Sequence, residues 1–507
     1  MSPPISYCST RGGDRGTPFE KALLSAYASD GGLYVPEHIP EVSPQVLRSW
    51  ASLSIAQVCA RVMELFTGLP LPELETIASE AFATFNDGLD PPLPIRSHVV
   101  NVDGVHLLDT GLGPTLAFKD IGQQVVSRLL SSVLGAKGLH ANVIVETSGD
   151  TGPAAIAGVA GCENVDIFVL FPHGRVSAVQ ELQMTTWDAP NVHVYRTEGD
   201  TDEQAEALKL LFSDAAFMAR HQVCSINSIN WARVMVQSSY YVWAALQMRP
   251  NLAGAVHFVV PTGAFGNAVG GLIARLIGAP IGTIVCATNA NDVVHRTIAF
   301  GDLSIAPNVA TLSPAMDIQF AYNVERMLWL VTRGDSATVA RHMRAAQERA
   351  PLRLPPALLA QVQRVFLSVA VDDAMTCETL ASVYRDSGYV LDPHSAVGVH
   401  AATLPAIRRA LQPHGPCMVV LTAHPAKFEE SCAKAGVPVP QHPAVDALKR
   451  KPTKFEWLRA PPAGQEKLVT WAAAVKAAVE ARARERDSIA GSSSTTTVPS
   501  SRLRSRL

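Results

Sequence analysis

Hydrophobic and polar positions divide the chain into two regimes. From Phe19 to about Asp90 the pattern reads as mostly helical, interrupted at Asp30-Gly31-Gly32 and between Pro36 and Pro44, which predicts a small N-terminal helical domain. Beyond the turn-forming Asp90-Pro91-Pro92-Leu93-Pro94, short apolar runs alternate with helical stretches. Asn142 to Glu146, Asp166 to Phe171, Ala255 to Val260, Thr283 to Ala287 and Cys417 to Leu421 are such runs, most of them followed by a Gly-rich or polar turn. Strands apolar on both faces and alternating with helices predict an α/β core with a parallel sheet flanked by helices. Ligands bind such sheets at the carboxyl ends of the strands, where these turns fall.

Residues from about 325 to 381 read as a helical insertion or cover, and Lys467 to Arg484 as an Ala-rich helix. The expected organisation is therefore an N-terminal domain over 1–95, a core over 96–440, a helical extension over 441–487 and a disordered tail over 488–507, whose Gly-Ser-Thr composition cannot bury a core.

Composition narrows the function classes. The 507 residues are 48% hydrophobic with a formal charge of −3, so no broad basic face for nucleic acid is expected. Eight scattered cysteines without a C-x-x-C pair argue for free thiols in a reducing compartment and against a metal site. No signal peptide and no apolar run of about 18 residues is present, so neither secretion nor a membrane span is expected. These features predict a cytoplasmic protein; a monomer or homodimer is expected. The final Ser505-Arg506-Leu507 resembles a variant of the Ser-Lys-Leu peroxisomal address.

Candidate chemistry begins at Gly113-Pro114-Thr115-Leu116-Ala117-Phe118-Lys119-Asp120. A lysine beside an aromatic residue ordinarily lies along the surface. In a small, apolar setting it loses hydration, its pKa falls, and its amine becomes available for Schiff-base chemistry. Ser148-Gly149-Asp150-Thr151-Gly152, between an expected strand and helix, offers backbone N–H groups and two hydroxyls to a carboxylate or phosphate. Pro261-Thr262-Gly263-Ala264-Phe265-Gly266-Asn267 follows another strand; its glycines permit close approach to a phosphate, and its spacing fits a monophosphate better than a dinucleotide. An amine with anion cradles suggests pyridoxal phosphate. His173-Gly174-Arg175-Val176-Ser177 adds a guanidinium suited to phosphate, Thr422-Ala423-His424-Pro425-Ala426-Lys427 leaves the last core strand, and Asp392-Pro393-His394-Ser395 reads as a helix cap.

Together with Tyr7-Cys8-Ser9-Thr10-Arg11-Gly12, Asp30 to Pro36, Asn227-Ser228-Ile229-Asn230-Trp231-Ala232-Arg233, Asn289 to Asp292 and Thr311 to Asp317, these segments resemble the threonine synthase family of pyridoxal phosphate (PLP) enzymes. The resemblance implies the tryptophan synthase β-like fold, fold type II, and a small phosphorylated amino acid as substrate. It makes Lys119 the Schiff-base lysine, Gly263, Ala264, Phe265, Gly266 and Asn267 the cofactor-phosphate cradle, and Thr422 the partner of the pyridine nitrogen. It places Asn227 or Asn230 near the cofactor, gives the substrate carboxylate to Ser148, Gly149, Asp150 and Thr151, and the substrate phosphate to Arg175 and Ser177.

The implied reaction turns O-phosphohomoserine and water into threonine and phosphate. Two positions depart from the family pattern: Leu112 stands where a histidine is usual, and the cradle has Ala264 and Asn267 where Gly-Asn-Phe-Gly-Asp is usual. The animal threonine synthase-like branch, which the chain also resembles, includes phospho-lyases giving 2-oxobutyrate, ammonia and phosphate. That outcome, a β/γ-replacement reaction, and a non-catalytic paralogue are the alternatives.

Overall fold

Three sheets organise the chain in the computed structural model, which describes residues 5–85, 95–99, 104–459 and 466–493. The smallest belongs to the N-terminal region: β1 (Ser6–Ser9), β2 (Thr17–Pro18) and β3 (Tyr34–Pro36) pair antiparallel in the order β2-β1-β3. The expected helices follow at Pro44–Trp50, Ile55–Thr67 and Leu71–Phe82. Ser54 starts the second with a capping box to Gln57, and Gly68 ends it at φ 70°. The N-terminal region is thus not purely helical. Strands of two to four residues among Gly12, Gly13, Gly16 and Pro18 are too short to show a period. Fully buried Tyr7 pins this sheet to the rest, donating to the Phe66 carbonyl at 2.6 Å and meeting Trp231 edge-on.

The core holds two mostly parallel sheets. One contains β4 (Arg96–Val99), β5 (His106–Asp109), β10 (Val256–Pro261), β11 (Ile281–Thr288), β12 (Phe366–Ala370) and β13 (Cys417–Leu421), ordered β12-β11-β10-β13-β5-β4. Val259 pairs with Val419, and Val420 with Leu108; only β4 runs antiparallel. The other is built from β6 (Ala141–Glu146), β7 (Val165–Pro172), β8 (Val192–Thr197), β9 (Val223–Cys224) and β14 (Glu456–Leu458), ordered β14-β8-β7-β6-β9 and parallel throughout. Every residue of β6, β7 and β10 is buried, as uninterrupted apolar runs require when helices cover both faces.

Two expectations need correction. The stretch 325–381 carries helices Val324–Val331, Ser336–Gln347, Pro356–Gln363 and Asp373–Ser387, but it also contains β12, which pairs Ile284 with Phe366 at the sheet edge. The extension after 440 likewise carries β14 besides its helices, because three residues suffice to complete the exposed edge of β8. The last helix, Lys467–Ser493, runs five residues past 488. Trp471, Val475 and Val479 bury it against Phe168 and Leu208, while Arg482 donates to the buried Asp166 at 3.0 Å. The turn at 90–94, the chain after 493 and Ser505-Arg506-Leu507 lie outside the described residues. Among the described residues no helix is long and apolar enough to cross a membrane.

Candidate active site

The carboxyl ends of β5, β6, β10 and β13 converge, and the loops leaving them line a cleft. The loop after β5 is shaped by buried Asp120. Its carboxylate accepts from the Thr115 hydroxyl at 2.6 Å and the backbone N–H groups of Thr115 and Ala117 at 2.9 and 3.2 Å. Burial pushes the Asp120 carboxyl up to about 6 against the pull of those donors. The loop is tied to the β13 exit, where Phe118 N–H donates to the Thr422 carbonyl at 2.8 Å and His424 N–H to the Leu116 carbonyl at 3.1 Å. Lys119, first residue of the helix Lys119–Lys137, is thereby fixed in the cleft with 8% of its surface exposed. Burial pulls its ammonium down to about 8; Asp150 opposes the fall, and Arg233 and Lys427 add to it.

Across the cleft, Phe265 adopts φ 68° and starts the helix Gly266–Ile277, turning the chain back on itself. A Cβ on Gly266 would lie 2.8 Å from Ser228 Cβ, and one on Gly263 would lie 3.1 Å from Met316 Cα, so these two positions favour glycine. Asn267 Oδ1 accepts from the Tyr240 and Tyr241 hydroxyls, which leaves its Nδ2 buried without a protein partner. Thr422 Oγ1 is a second buried polar atom with no protein partner. Both residues line the cleft, so these two atoms are available to a ligand held there. Glycines at a helix start, a partially neutralised lysine and an unpaired hydroxyl on the opposite wall fit the phosphate, the aldehyde carbon and the ring nitrogen of PLP.

The structure brings Lys119, Ser148, Asp150, Thr151, Gly263, Ala264, Phe265, Gly266, Asn267 and Thr422 to this one cleft. Gly149, at φ 139°, packs so closely on Gln180 that a Cβ would lie 2.5 Å from its amide. Asn227 stands just behind the wall; it donates to the Glu146 carbonyl at 3.1 Å, and its Oδ1 is buried without a protein partner. Asn230 instead caps the helix Trp231–Met248 and donates to the Leu23 and Ser225 carbonyls.

Arg175 and Ser177 are not brought there. They line a neighbouring cleft with Thr311, Ser431 and Lys434. Ser177 Oγ is engaged in capping the helix Ala178–Thr185, and Arg175 reaches Asn308 Oδ1 at 3.4 Å. Leu112 is half-buried against the main core and is not among the residues lining the Lys119 cleft.

Four residues that sequence reasoning did not place in the cleft stand at or beside it. Fully buried Lys427 donates to Asp150 Oδ1 at 2.6 Å and to the Thr115 carbonyl at 2.9 Å. Burial alone would push the Asp150 carboxyl up, but Lys427, with Lys119, holds it well below the usual range. His394 accepts from Ala315 N–H at 3.1 Å through Nε2, which places its proton on Nδ1 toward Asp392 Oδ1 at 2.8 Å. Arg233, 2% exposed, faces the cleft with only long bonds, 3.4 Å to the Ile226 carbonyl and 3.5 Å to Thr151 Oγ1, and its Nε has no protein partner. Glu146, at the end of β6, is buried in the same wall, and burial pushes its carboxyl up to about 7 despite Asn227 and Arg233.

Fold and site together define a PLP-dependent enzyme of fold type II, and the family models agree: a pyridoxal-phosphate dependent enzyme model matches residues 91–423. It is flanked by a threonine synthase N-terminal model over 6–82 and a threonine synthase C-terminal model over 395–469. The chain belongs to the threonine synthase family. It is 40% identical over 450 residues to a threonine synthase of Pseudomonas aeruginosa, covering 87% of this chain and 92% of that one. It is 39% identical over 466 residues to a human threonine synthase-like 2, covering 89% and 94%. The PLP-bound threonine synthase of Brucella melitensis superimposes with a TM-score of 0.82 at 35% identity, over 94% of this chain and 98% of its own. The yeast threonine synthase also gives 0.82, at 30% identity, over 94% and 99%.

Proposed function

We propose that the protein converts O-phosphohomoserine and water to threonine and phosphate. One observation carries this reading: an amine near neutrality, Lys119, and a buried guanidinium with unsatisfied donors, Arg233, face the same cleft. The first moves protons on an amino acid, and the second holds a phosphate on its side chain.

PLP, when bound, withdraws electrons from the amino acid attached to it and so makes its Cα and Cβ protons removable. The protein's residues divide the remaining work. Backbone N–H groups from Gly263 to Asn267 hold the cofactor phosphate at the helix start, and Thr422 Oγ1 meets the ring nitrogen as a neutral partner. Ser148, Gly149 and Thr151 take the substrate carboxylate at the N-terminus of the helix Thr151–Val159. Asp150, already neutralised by Lys427, shapes this loop rather than repelling the carboxylate. Lys119 takes the proton from Cα and then moves one at Cβ, and its pKa near 8 keeps part of it neutral at physiological pH. Arg233 replaces Arg175 as the guanidinium on the substrate phosphate and stabilises charge as that group departs from Cγ. Phe118, Met316, Ile318 and Tyr322 are among the apolar residues of the lining, which limit the water that reaches Cβ.

Turnover tests the reading: holoenzyme given O-phosphohomoserine releases threonine and phosphate in equal amounts, and Lys119→Ala releases neither. We place the enzyme in the cytoplasm, or in peroxisomes through Ser505-Arg506-Leu507; deleting those three residues from a tagged chain separates the two.

A further inference from the structure

We propose that Glu146 is the acid that gives its proton to the phosphate group leaving the substrate. The inference rests on the functional reading above and deepens it. A phosphate monoester in its dianionic form that loses its carbon without gaining a proton leaves as the trianion, a poor leaving group, so the step calls for a proton donor near the phosphate. Three features single out Glu146.

The first is place. Glu146 ends β6 in the wall that also carries Arg233, the guanidinium assigned to the phosphate. The second is its surroundings. Arg233, on the helix Trp231–Met248, is close enough to favour the carboxylate. The other ionisable groups acting with it are Tyr27, from the loop after the helix Phe19–Leu23, and Tyr322, from the loop before Val324–Val331; both have hydroxyls that burial raises far above neutrality, so they stay uncharged. Lys119, Asp150, Asp202 and His394 line the same cleft, with Asp150 neutralised by Lys427 and Asp202 raised by burial. The third is burial: 6% exposure pushes the carboxyl up to about 7, so near neutral pH it carries a proton for part of the time and can both donate it and recover it. An ionised carboxylate in this wall would repel the phosphate, whereas a protonated one hydrogen-bonds to it.

The step balances. The Cγ–O bond breaks and its electron pair stays on oxygen; the Glu146 O–H proton moves to that oxygen, and hydrogen phosphate leaves. The resulting carboxylate is reprotonated by the proton set free when water adds at Cβ.

Glu146→Gln keeps the shape and neutrality of the side chain but removes its acid function. Two measurements on the holoenzyme test it. In turnover with inorganic phosphate present, Glu146→Gln is expected to lose roughly 100-fold or more in kcat on O-phosphohomoserine, yet to form threonine from vinylglycine, which enters after phosphate has gone, at close to the wild-type rate. In calorimetric titration with sulfate, a dianion that does not itself titrate near neutrality, wild-type affinity is expected to weaken by up to about tenfold per pH unit above about 7, while Glu146→Gln shows no such decline. Equal losses on both substrates, an unchanged kcat on O-phosphohomoserine, or a sulfate pH dependence that persists in Glu146→Gln would overturn the proposal. A wild-type protein inactive on both substrates contradicts the functional reading instead, and the sulfate titration still decides the role of Glu146.

Discussion

Lys427 and Asp150 form a buried ion pair at 2.6 Å, and it stands in the partition between the two clefts, Asp150 lining one and Lys427 the other. Lys427 comes from the β13 exit and Asp150 from the β6 exit, so the pair also bridges the two parallel sheets. Removing one partner leaves the other charged and out of water. Lys427→Met is expected to destabilise the protein by about 3–5 kcal/mol. The double variant Asp150→Asn/Lys427→Met is expected to recover most of that loss. Denaturant unfolding of the three proteins measures both.

Lys119 stores part of its reactivity as instability. Its folded pKa of about 8 lies below the unfolded value of ~10.4, so between these pH values the unfolded chain binds more protons and stability rises with pH. Below pH 8 the full penalty is present, on the order of 3 kcal/mol. Cofactor-free Lys119→Met is therefore expected to melt above cofactor-free wild type at pH 7, and the gap is expected to close as pH rises from 8 to about 10.4. A gap that is constant across this range would place the effect in packing instead.

Thr422 Oγ1 has no protein partner, so Thr422→Val costs the folded protein no internal side-chain hydrogen bond. It does remove the group proposed to face the ring nitrogen. Cofactor affinity, followed by visible absorbance, is expected to weaken by up to about tenfold with little change in melting temperature.

Arg233 and Arg175 separate the two clefts functionally. Arg233→Ala removes the guanidinium proposed to bind the substrate phosphate and is expected to lower kcat/KM on O-phosphohomoserine by roughly 10–100-fold. Arg175→Ala, in the neighbouring cleft, is expected to leave it within about threefold, since its loss exposes no reacting group. Equal losses would mean that the two clefts join when substrate binds.

Much of the parallel core was legible in the chain because its strands are long and apolar. The run Cys417 to Leu421 is β13 to the residue, and Asn142 to Glu146 misses β6 by one. β12 and β14 were hidden because edge strands of three to five residues are defined by the neighbour they complete. In the site, Lys119, Thr422 and the 263–267 turn were visible because each follows a strand and carries small or turn-forming residues. Arg233, Glu146 and Lys427 were not. A lysine or arginine within a helix or turn ordinarily reaches water, and only the meeting of segments more than 80 residues apart buries these side chains. Arg175 showed the converse: the right chemistry after the right kind of strand, aimed into the adjacent cleft.

Turnover of O-phosphohomoserine in water enriched in oxygen-18 tests the proposed reaction most directly. Cleavage of the Cγ–O bond followed by hydration at Cβ predicts threonine with one heavy oxygen in its hydroxyl group and phosphate released without any. 2-Oxobutyrate and ammonia in place of threonine, or labelled phosphate with unlabelled homoserine, would contradict it.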